Sequence, residues 1–210
     1  MDMWFSKEIY IKILKALYIA IFIWSAIAPK DYSIWILEIV GVIITILFYF
    51  YFHKSIQFST TTNTWFFISV CLMTIGAHYS FPDVPIFEQM NGWFGIERNN
   101  YDKVGHLVQG ILPVLISREV LVKKNITSDI FWNNLISFCV AMTVTAVYEL
   151  VEWLFIILFG DNNYTYDVLG TQGYIWDSQS DMLCAMIGAL LAIFLGYKHL
   201  VAIVKRQQGN

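Results

Sequence analysis

Residues 134–159 read NLISFCVAMTVTAVYELVEWLFIILF, an apolar segment in which Glu149 and Glu152 are the only charged residues. An uninterrupted apolar run of about 18 or more residues is typical of a membrane-spanning helix. The whole chain has the same character, since 58% of its residues are hydrophobic and 14% are charged, against about 25% charged residues in soluble domains. The sequence therefore predicts an all-α polytopic transmembrane helical bundle, and it lacks the basic surface typical of nucleic-acid-binding proteins.

Six apolar segments are long enough to cross the bilayer, and we expect them to form a single integral membrane domain over residues 1–210. The predicted spans are 9–28, 34–52, 64–80, 103–122, 134–159 and 181–200. The first segment also has features of a signal peptide, because lysines precede it and Ala26, Ile27 and Ala28 imitate a cleavage site. Pro29 would hinder cleavage there, so a retained helix is favoured. The three cysteines lie far apart in apolar runs and are interpreted as small buried hydrophobic residues.

The distribution of Lys and Arg predicts the orientation, because these residues prefer the cytoplasmic side of the membrane. If both termini are cytoplasmic, ten of the cations lie inside and three lie outside. The three outer cations are Lys30, Arg98 and Lys103. Most tryptophans fall at the ends of the predicted spans, as expected for an interfacial belt. The lipid bilayer is thus the predicted environment, with an N-in, C-in topology.

The ionisable residues inside the predicted spans gather near the outer face. Asp102, His106 and Gln109 have i, i+4, i+7 spacing, so they share one face of the fourth span and reach about 10 Å below its outer end. Glu149 and Glu152 lie about 10–15 Å below the outer end of the fifth span. Asp177 and Asp181 open the sixth span. An acidic side chain at mid-membrane costs roughly 2.5–3.5 kcal/mol, so these residues require a partner, a proton or a water-filled cavity.

The convergence of acids and imidazole predicts one polar site. The candidate catalytic residues are His106, Glu149, Glu152, Asp177 and Asp181, and a divalent metal ion could be held by the same residues together with Asp102. Further polar candidates for this site are His78, Gln109, Gln172 and Gln179. The alternatives are carboxyl groups that remain protonated, or a purely structural hydrogen-bond network.

Glu119 is expected to stand apart from this site. It lies about 20 Å along the helix from His106, and Glu119 and Lys123 form a favourable i, i+4 pair near the cytoplasmic end. Arg118 would be a further neighbour of that pair or a contact for a lipid headgroup. Glu38 is interpreted as a residue at the boundary of the second span.

The sequence resembles the YjdF-type bacterial inner-membrane protein family. The matching motifs lie between residue 100 and residue 182, which is roughly the C-terminal half: residues 100–106 (NYDKVGH), 109–110 (QG), 118–119 (RE), 148–153 (YELVEW), 169–173 (LGTQG) and 176–182 (WDSQSDM). The resemblance implies a location in the bacterial inner membrane and a role for the Arg118–Glu119 pair, but no particular reaction. The family pattern has an acidic residue where Tyr174 stands and often Arg where Lys103 stands, so neither position is expected to be a strict metal ligand.

Three functions agree with these features. The first is an outward-facing enzyme acting on a lipid or lipid-linked envelope molecule, with His106 as a metal ligand or general base and the carboxylates binding metal or moving protons. The second is a proton- or ion-linked transporter, although the acids do not continue through the inner half and no inverted repeat is visible. The third is a non-catalytic membrane scaffold.

Overall fold

The computed structural model describes residues 6–87, 89, 98–159, 172 and 174–209. In this part of the chain all regular structure is helical, which confirms the all-α prediction. The α-helices are α1 (Lys7–Ser25), α2 (Tyr32–Ile56), α3 (Thr60–Tyr79), α4 (Tyr101–Lys123), α5 (Ile130–Phe159), α6 (Asp177–Leu195) and α7 (Tyr197–Gln208). A short 3-10 turn, Phe81–Asp83, follows α3.

Polar capping residues set where the helices begin. Ser6, Asp31 and Ser59 accept hydrogen bonds from backbone N–H groups in the first turns of α1, α2 and α3. Asp129 does the same for α5, because its carboxylate accepts from the Trp132 amide at 2.9 Å. Each cap satisfies amides that have no partner inside the helix. The local sequence therefore determines where these four helices begin.

Four helices of the described chain are long and apolar enough to cross a membrane: α2, α4, α5 and α6. The other two predicted spans correspond to α1 and α3, which contain more polar residues in their first halves. Lys7, Glu8, Lys12 and Lys15 lie in α1, and a run of Thr and Asn residues opens α3. The chain thus has at least four apolar helices of spanning length.

The segment of the predicted sixth span, residues 181–200, is shared by two helices. Helix α6 begins at Asp177 and ends at Leu195, and α7 starts after Gly196. A Cβ atom at Gly196 would collide with the Ala192 carbonyl oxygen and approach the Arg118 guanidinium. The side chain of Arg118 therefore occupies the space next to the helix end, and a glycine is needed between α6 and α7.

The contacts at the two ends of the bundle show that successive helices from α1 to α6 run in alternate directions. We call these two ends the His106 end and the Glu119 end, after the residue of α4 that lies near each. At the His106 end, the Lys30 amide donates to the His78 carbonyl at 2.9 Å, and the first turns of α4 and α6 meet through Lys103 and Asp181. At the Glu119 end, Glu119 contacts Ser59 at the start of α3.

The central helix of the bundle is α4. Of an apolar stretch of 18 residues in α4, 61% is buried inside the molecule, compared with 17–28% of the corresponding stretches in α2, α5 and α6. It packs most extensively against α6, and two glycines make that contact close. A Cβ atom at Gly110 would collide with the Ala185 carbonyl oxygen, and one at Gly188 with the Leu107 carbonyl oxygen. Small residues at such positions let helix backbones approach each other, as is common in membrane proteins.

Candidate functional site at the His106 end

The first turn of α4 is fixed in place by residues on both sides of it. The Asn99 side chain accepts a hydrogen bond from the Tyr101 amide at 3.0 Å and donates to the Val84 carbonyl at 3.1 Å. The Tyr101 hydroxyl donates to the Leu72 carbonyl of α3 at 2.7 Å. Asp102 and His106 follow on one face of this anchored turn, with His106 Nε2 3.3 Å from Asp102 Oδ1.

Three carboxylates from three helices converge on His106. Besides Asp102, His106 Nε2 lies 3.6 Å from Glu149 Oε1 on α5 and 3.9 Å from Asp181 Oδ1 on α6. His106, Glu149 and Asp181 are 5%, 7% and 3% exposed, so these polar groups are largely removed from solvent. The distances are within the limit of about 10 Å beyond which these residues could not form a common site.

Asp177 joins the cluster through a lysine. Lys103 Nζ lies 2.5 Å from Asp177 Oδ1 and 2.6 Å from Asp181 Oδ1, so it bridges two acids of α6. Arg98 Nη2 also lies 2.5 Å from Asp177 Oδ1. Asp177 is therefore neutralised by two cations, whereas Asp102 and Glu149 have His106 as their near neighbour.

The carboxylate oxygens around His106 lie farther from its Nε2 atom than is usual for hydrogen bonds. Side-chain N–H···O bonds are usually about 2.7–3.2 Å long, and the three contacts of His106 Nε2 all exceed this range. Among the described residues, His106 Nδ1 and Glu149 Oε1 are buried atoms with no hydrogen-bond partner. Buried polar atoms are normally partnered, so water, an ion or a substrate group is expected here.

The donor set suits a divalent cation. One atom each from Asp102, His106 and Asp181 lies within 4.8 Å of the others. In a tetrahedral site with bonds of about 2.0–2.2 Å, neighbouring ligand atoms lie about 3.3–3.6 Å apart, which is close to the separations around His106 Nε2. Imidazole and carboxylate ligands together fit Zn²⁺ or Mn²⁺ better than a soft metal.

A second layer of the site includes a residue that the sequence interpretation missed. Glu152 interacts with the Tyr148 hydroxyl and with the charges of Glu149, Asp102 and Glu38. Glu38 belongs to α2, where the sequence alone predicts a residue at the boundary of the span. It lies seven positions beyond the Asp31 cap, or about 10 Å along the helix. The same depth estimate that grouped Glu149 and Asp181 could have found it.

The structure places three further polar candidates away from His106. His78 Nδ1 contacts the Ser25 carbonyl at 3.0 Å, and its ring packs on Trp24 with centroids 4.2 Å apart. Gln172 exchanges two hydrogen bonds of 2.9 Å with the Asn99 backbone, and Gln179 is exposed. Gln109 is half-buried on α4, one turn beyond His106. Most of the loop motif at 169–173 lies outside the described residues.

Glu119 forms a separate buried cluster at the opposite end. Its oxygens accept hydrogen bonds from the Ser59 amide, the Thr62 hydroxyl and Lys123, at 2.6–3.0 Å. The predicted Glu119–Lys123 pair is therefore present, and His199 Nε2 approaches the same carboxylate at 3.8 Å.

Arg118 has a structural partner rather than a lipid headgroup. Its guanidinium donates to the Ala192 carbonyl at 2.8 Å and the Ile193 carbonyl at 3.2 Å, at the end of α6. It also donates to Asn134 Oδ1 of α5 at 2.5 Å. A cation next to the last carbonyls of a helix interacts favourably with the helix dipole. Arg118 thus joins α4, α5 and the end of α6.

Comparison with known proteins identifies relatives of the chain. Residues 10–202 match the family described as "Predicted membrane protein (DUF2238)". The inner membrane protein YjdF of Escherichia coli (strain K12) is 35% identical over 180 residues, which cover 85% of this chain and 85% of the relative. No solved structure matches the chain. The apolar helices, the family match and this inner-membrane relative agree on a multi-pass membrane protein, and the chain belongs to this DUF2238 family.

Proposed function

We propose that α1 to α6 all cross the inner membrane, with both termini in the cytoplasm and the His106 end facing outward. Three features support this topology: the alternating helix directions, the excess of Lys and Arg at the Glu119 end, and the acids at the His106 end. Lys12 and Lys15 in α1 are then near enough to the cytoplasmic surface for their ammonium groups to extend toward it. The polar candidate site lies close to the depth of the outer lipid headgroups.

Within this topology, we propose a metal-assisted enzyme that acts on a lipid or lipid-linked envelope molecule. The observation that carries the proposal is the approach of Asp102, Glu149 and Asp181 to a single nitrogen of His106. These four residues would hold a divalent cation, which can polarise a phosphoryl or carbonyl oxygen and activate a water molecule. A polar headgroup entering from the outer leaflet would reach the ligands without leaving the membrane surface.

The neighbouring residues have positioning roles in this proposal. Lys103 holds Asp181 and Asp177 through its ammonium group and fixes α6 against α4. Arg98 reduces the charge of Asp177 from the loop side. Glu152, next to Tyr148 and Glu149, is placed to accept or return a proton during the reaction.

A carrier is the second candidate, because buried acids also occur in proton- and ion-linked transporters. Between His106 and Glu119, however, the core of α4 is formed by Ile111, Val114 and Leu115, which pack on alanines of α5 and α6. This apolar layer separates the two polar clusters and favours a reaction confined to the outer half. In a non-catalytic membrane scaffold, the same cluster would form only a structural hydrogen-bond network within the bundle.

The test uses the full chain purified in mild detergent. Metal content is measured by elemental mass spectrometry for the wild type, for His106→Ala and for His78→Ala, which removes a histidine outside the cluster. We expect bound Zn²⁺ or Mn²⁺ in the wild type and in His78→Ala, and its loss in His106→Ala. Absence of stoichiometric metal from the wild type after incubation with both ions would contradict the metal site.

The enzymatic part is tested separately in cells. Envelope lipids are compared between strains producing the wild type, His106→Ala, Glu152→Gln or His78→Ala. The proposal predicts the same altered lipid species with the first two variants and a wild-type profile with His78→Ala. Unchanged lipids in well-folded His106→Ala and Glu152→Gln would favour the scaffold, whereas a metal-dependent ion flux in vesicles would favour the carrier.

A further inference from the structure

A second feature lies at the other end of the bundle, among α1, α2 and α3. A cavity of about 290 Å³ opens there between the three helices. Its volume is near the lower end of the range of about 300–1,000 Å³ for small-molecule sites. Its lining is mainly apolar and aromatic, with residues such as Leu14, Ile46, Phe66 and Val70. The cavity does not contact the His106 cluster.

The cavity lining also contains polar residues, of which Lys15 of α1 and His53 of α2 are the basic ones. Lys15 Nζ lies 5.6 Å from the centroid of the Phe50 ring, close to His53 in the sequence of α2. Among the described residues, no carboxylate is within ion-pair distance of Lys15, whereas Lys12 is paired with Glu8 at 2.7 Å. The cavity therefore combines an apolar body with a cationic end, which is complementary to an amphipathic anion.

The charged groups around His53 also favour an anionic ligand, because most of them are cations. The charged groups that act on it are Lys15, Lys7, Lys123 and the carboxylate of Glu119. The Glu119 oxygens already accept hydrogen bonds from Ser59, Thr62 and Lys123. His53 stacks on Tyr49, with ring centroids 5.3 Å apart, and its Nδ1 is a buried atom without a hydrogen-bond partner among the described residues. A buried nitrogen of this kind calls for a polar ligand atom.

We propose that this cavity binds one anionic phospholipid, with an acyl chain between α1, α2 and α3 and the phosphate beside Lys15 and His53. Basic pockets between membrane helices on the cytoplasmic side recognise anionic headgroups, because the headgroup charge is neutralised where the apolar chains enter. In the proposed topology the occupant comes from the cytoplasmic leaflet. The site is independent of the activity proposed for the His106 end.

The experiment measures which lipids stay bound to the full chain. The protein is reconstituted in nanodiscs of phosphatidylethanolamine and phosphatidylglycerol, released into detergent and analysed by native mass spectrometry. We expect one phosphatidylglycerol per chain, retained at least tenfold above its share in the disc. Equal retention of the two lipids, or none, would overturn the proposal and indicate ordinary annular lipid.

Two matched pairs of variants locate the binding. Lys15→Gln should reduce the preference for phosphatidylglycerol at least fivefold, whereas Lys12→Gln, on the same helix but outside the cavity, should leave it unchanged. Leu14→Trp should displace the lipid by filling the cavity, whereas Ile13→Trp, at an exposed position of α1, should not. Because Lys15 is exposed, its substitution leaves the fold intact and decides the question even if Leu14→Trp fails to fold. Identical results within both pairs would contradict the proposed position.

Discussion

The two ends of α4 carry buried ionisable clusters that differ in how well their polar atoms are satisfied. At the Glu119 end, both carboxylate oxygens accept hydrogen bonds at 2.6–3.0 Å. At the His106 end, the imidazole stands 3.3–3.9 Å from three carboxylates, and Glu149 Oε1 lacks a hydrogen bond among the described residues. Burial alone therefore does not distinguish the two clusters. The two clusters differ in whether a carboxylate oxygen is left to bind a further group. Glu149 Oε1 has no hydrogen bond among the described residues, whereas both Glu119 oxygens accept one.

The largest expected effect is on stability, from Glu119→Ala. This substitution leaves Lys123 and the donors of α3 without their buried acceptor, and breaking a buried ion pair typically costs about 3–5 kcal/mol. Denaturation in mixed micelles should show that loss, while the folded fraction should bind the proposed metal ion as the wild type does. Asp83→Ala, which removes an exposed pair with Lys30, serves as the control and should cost about 0–1 kcal/mol. Loss of metal from folded Glu119→Ala would show that the two clusters are not separate.

The second-largest effect is expected at the close contact between α4 and α6. Gly110→Ala places a methyl group against the Ala185 backbone, and overpacking of this kind costs about 1–3 kcal/mol. Because α4 and α6 would move apart, metal affinity should fall together with the melting temperature. At Gly41 the nearest atom to an added Cβ is Met73 Cε at 3.6 Å, so Gly41→Ala should be neutral or stabilising. A stable Gly110→Ala variant would contradict the close packing.

A smaller effect, of opposite sign, is expected from Lys103→Met. Its ammonium group neutralises Asp181 at 2.6 Å, so its removal should make the site more negative and strengthen Zn²⁺ binding at least tenfold, or by about 1.4 kcal/mol. Arg98 remains to pair with Asp177. Competition with a chelating dye measures the change. Weaker binding in a folded variant would mean that Lys103 orders the ligands more than it competes with the metal.

The smallest effect should come from Glu38→Gln. Glu38 acts on Asp102 through its charge, whereas the proposed ligands Asp102, Glu149 and Asp181 lie 3.3–3.9 Å from His106 Nε2, so metal affinity should fall by less than about tenfold, that is by less than about 1.4 kcal/mol. The same dye competition measures it, with Asp181→Asn as the comparison that should lose most of the affinity. Equal losses in the two variants would make Glu38 a ligand.

Residue spacing predicted much of this arrangement. Helical periodicity placed Asp102 beside His106, and depth along the helices brought Glu149 and Asp181 to the same level. Both inferences depend on helix geometry alone, so they needed no knowledge of packing. The break at Gly196 and the bridge from Lys103 to two acids could not be predicted, because they depend on how α4 approaches α6. Likewise, no spacing rule indicates that the Glu119 oxygens find donors in α3.

The bridge from Lys103 to Asp177 and Asp181 also bears on how the protein is made. The two acids lie 74 and 78 residues after Lys103 in the chain. As the ribosome proceeds from the N-terminus, α4 emerges before those acids have been synthesised. It is also the least apolar of the four helices of spanning length. If α4 crosses the membrane as proposed, a chain truncated after α5 would therefore leave Lys103 without the two acids that pair with it in the complete bundle.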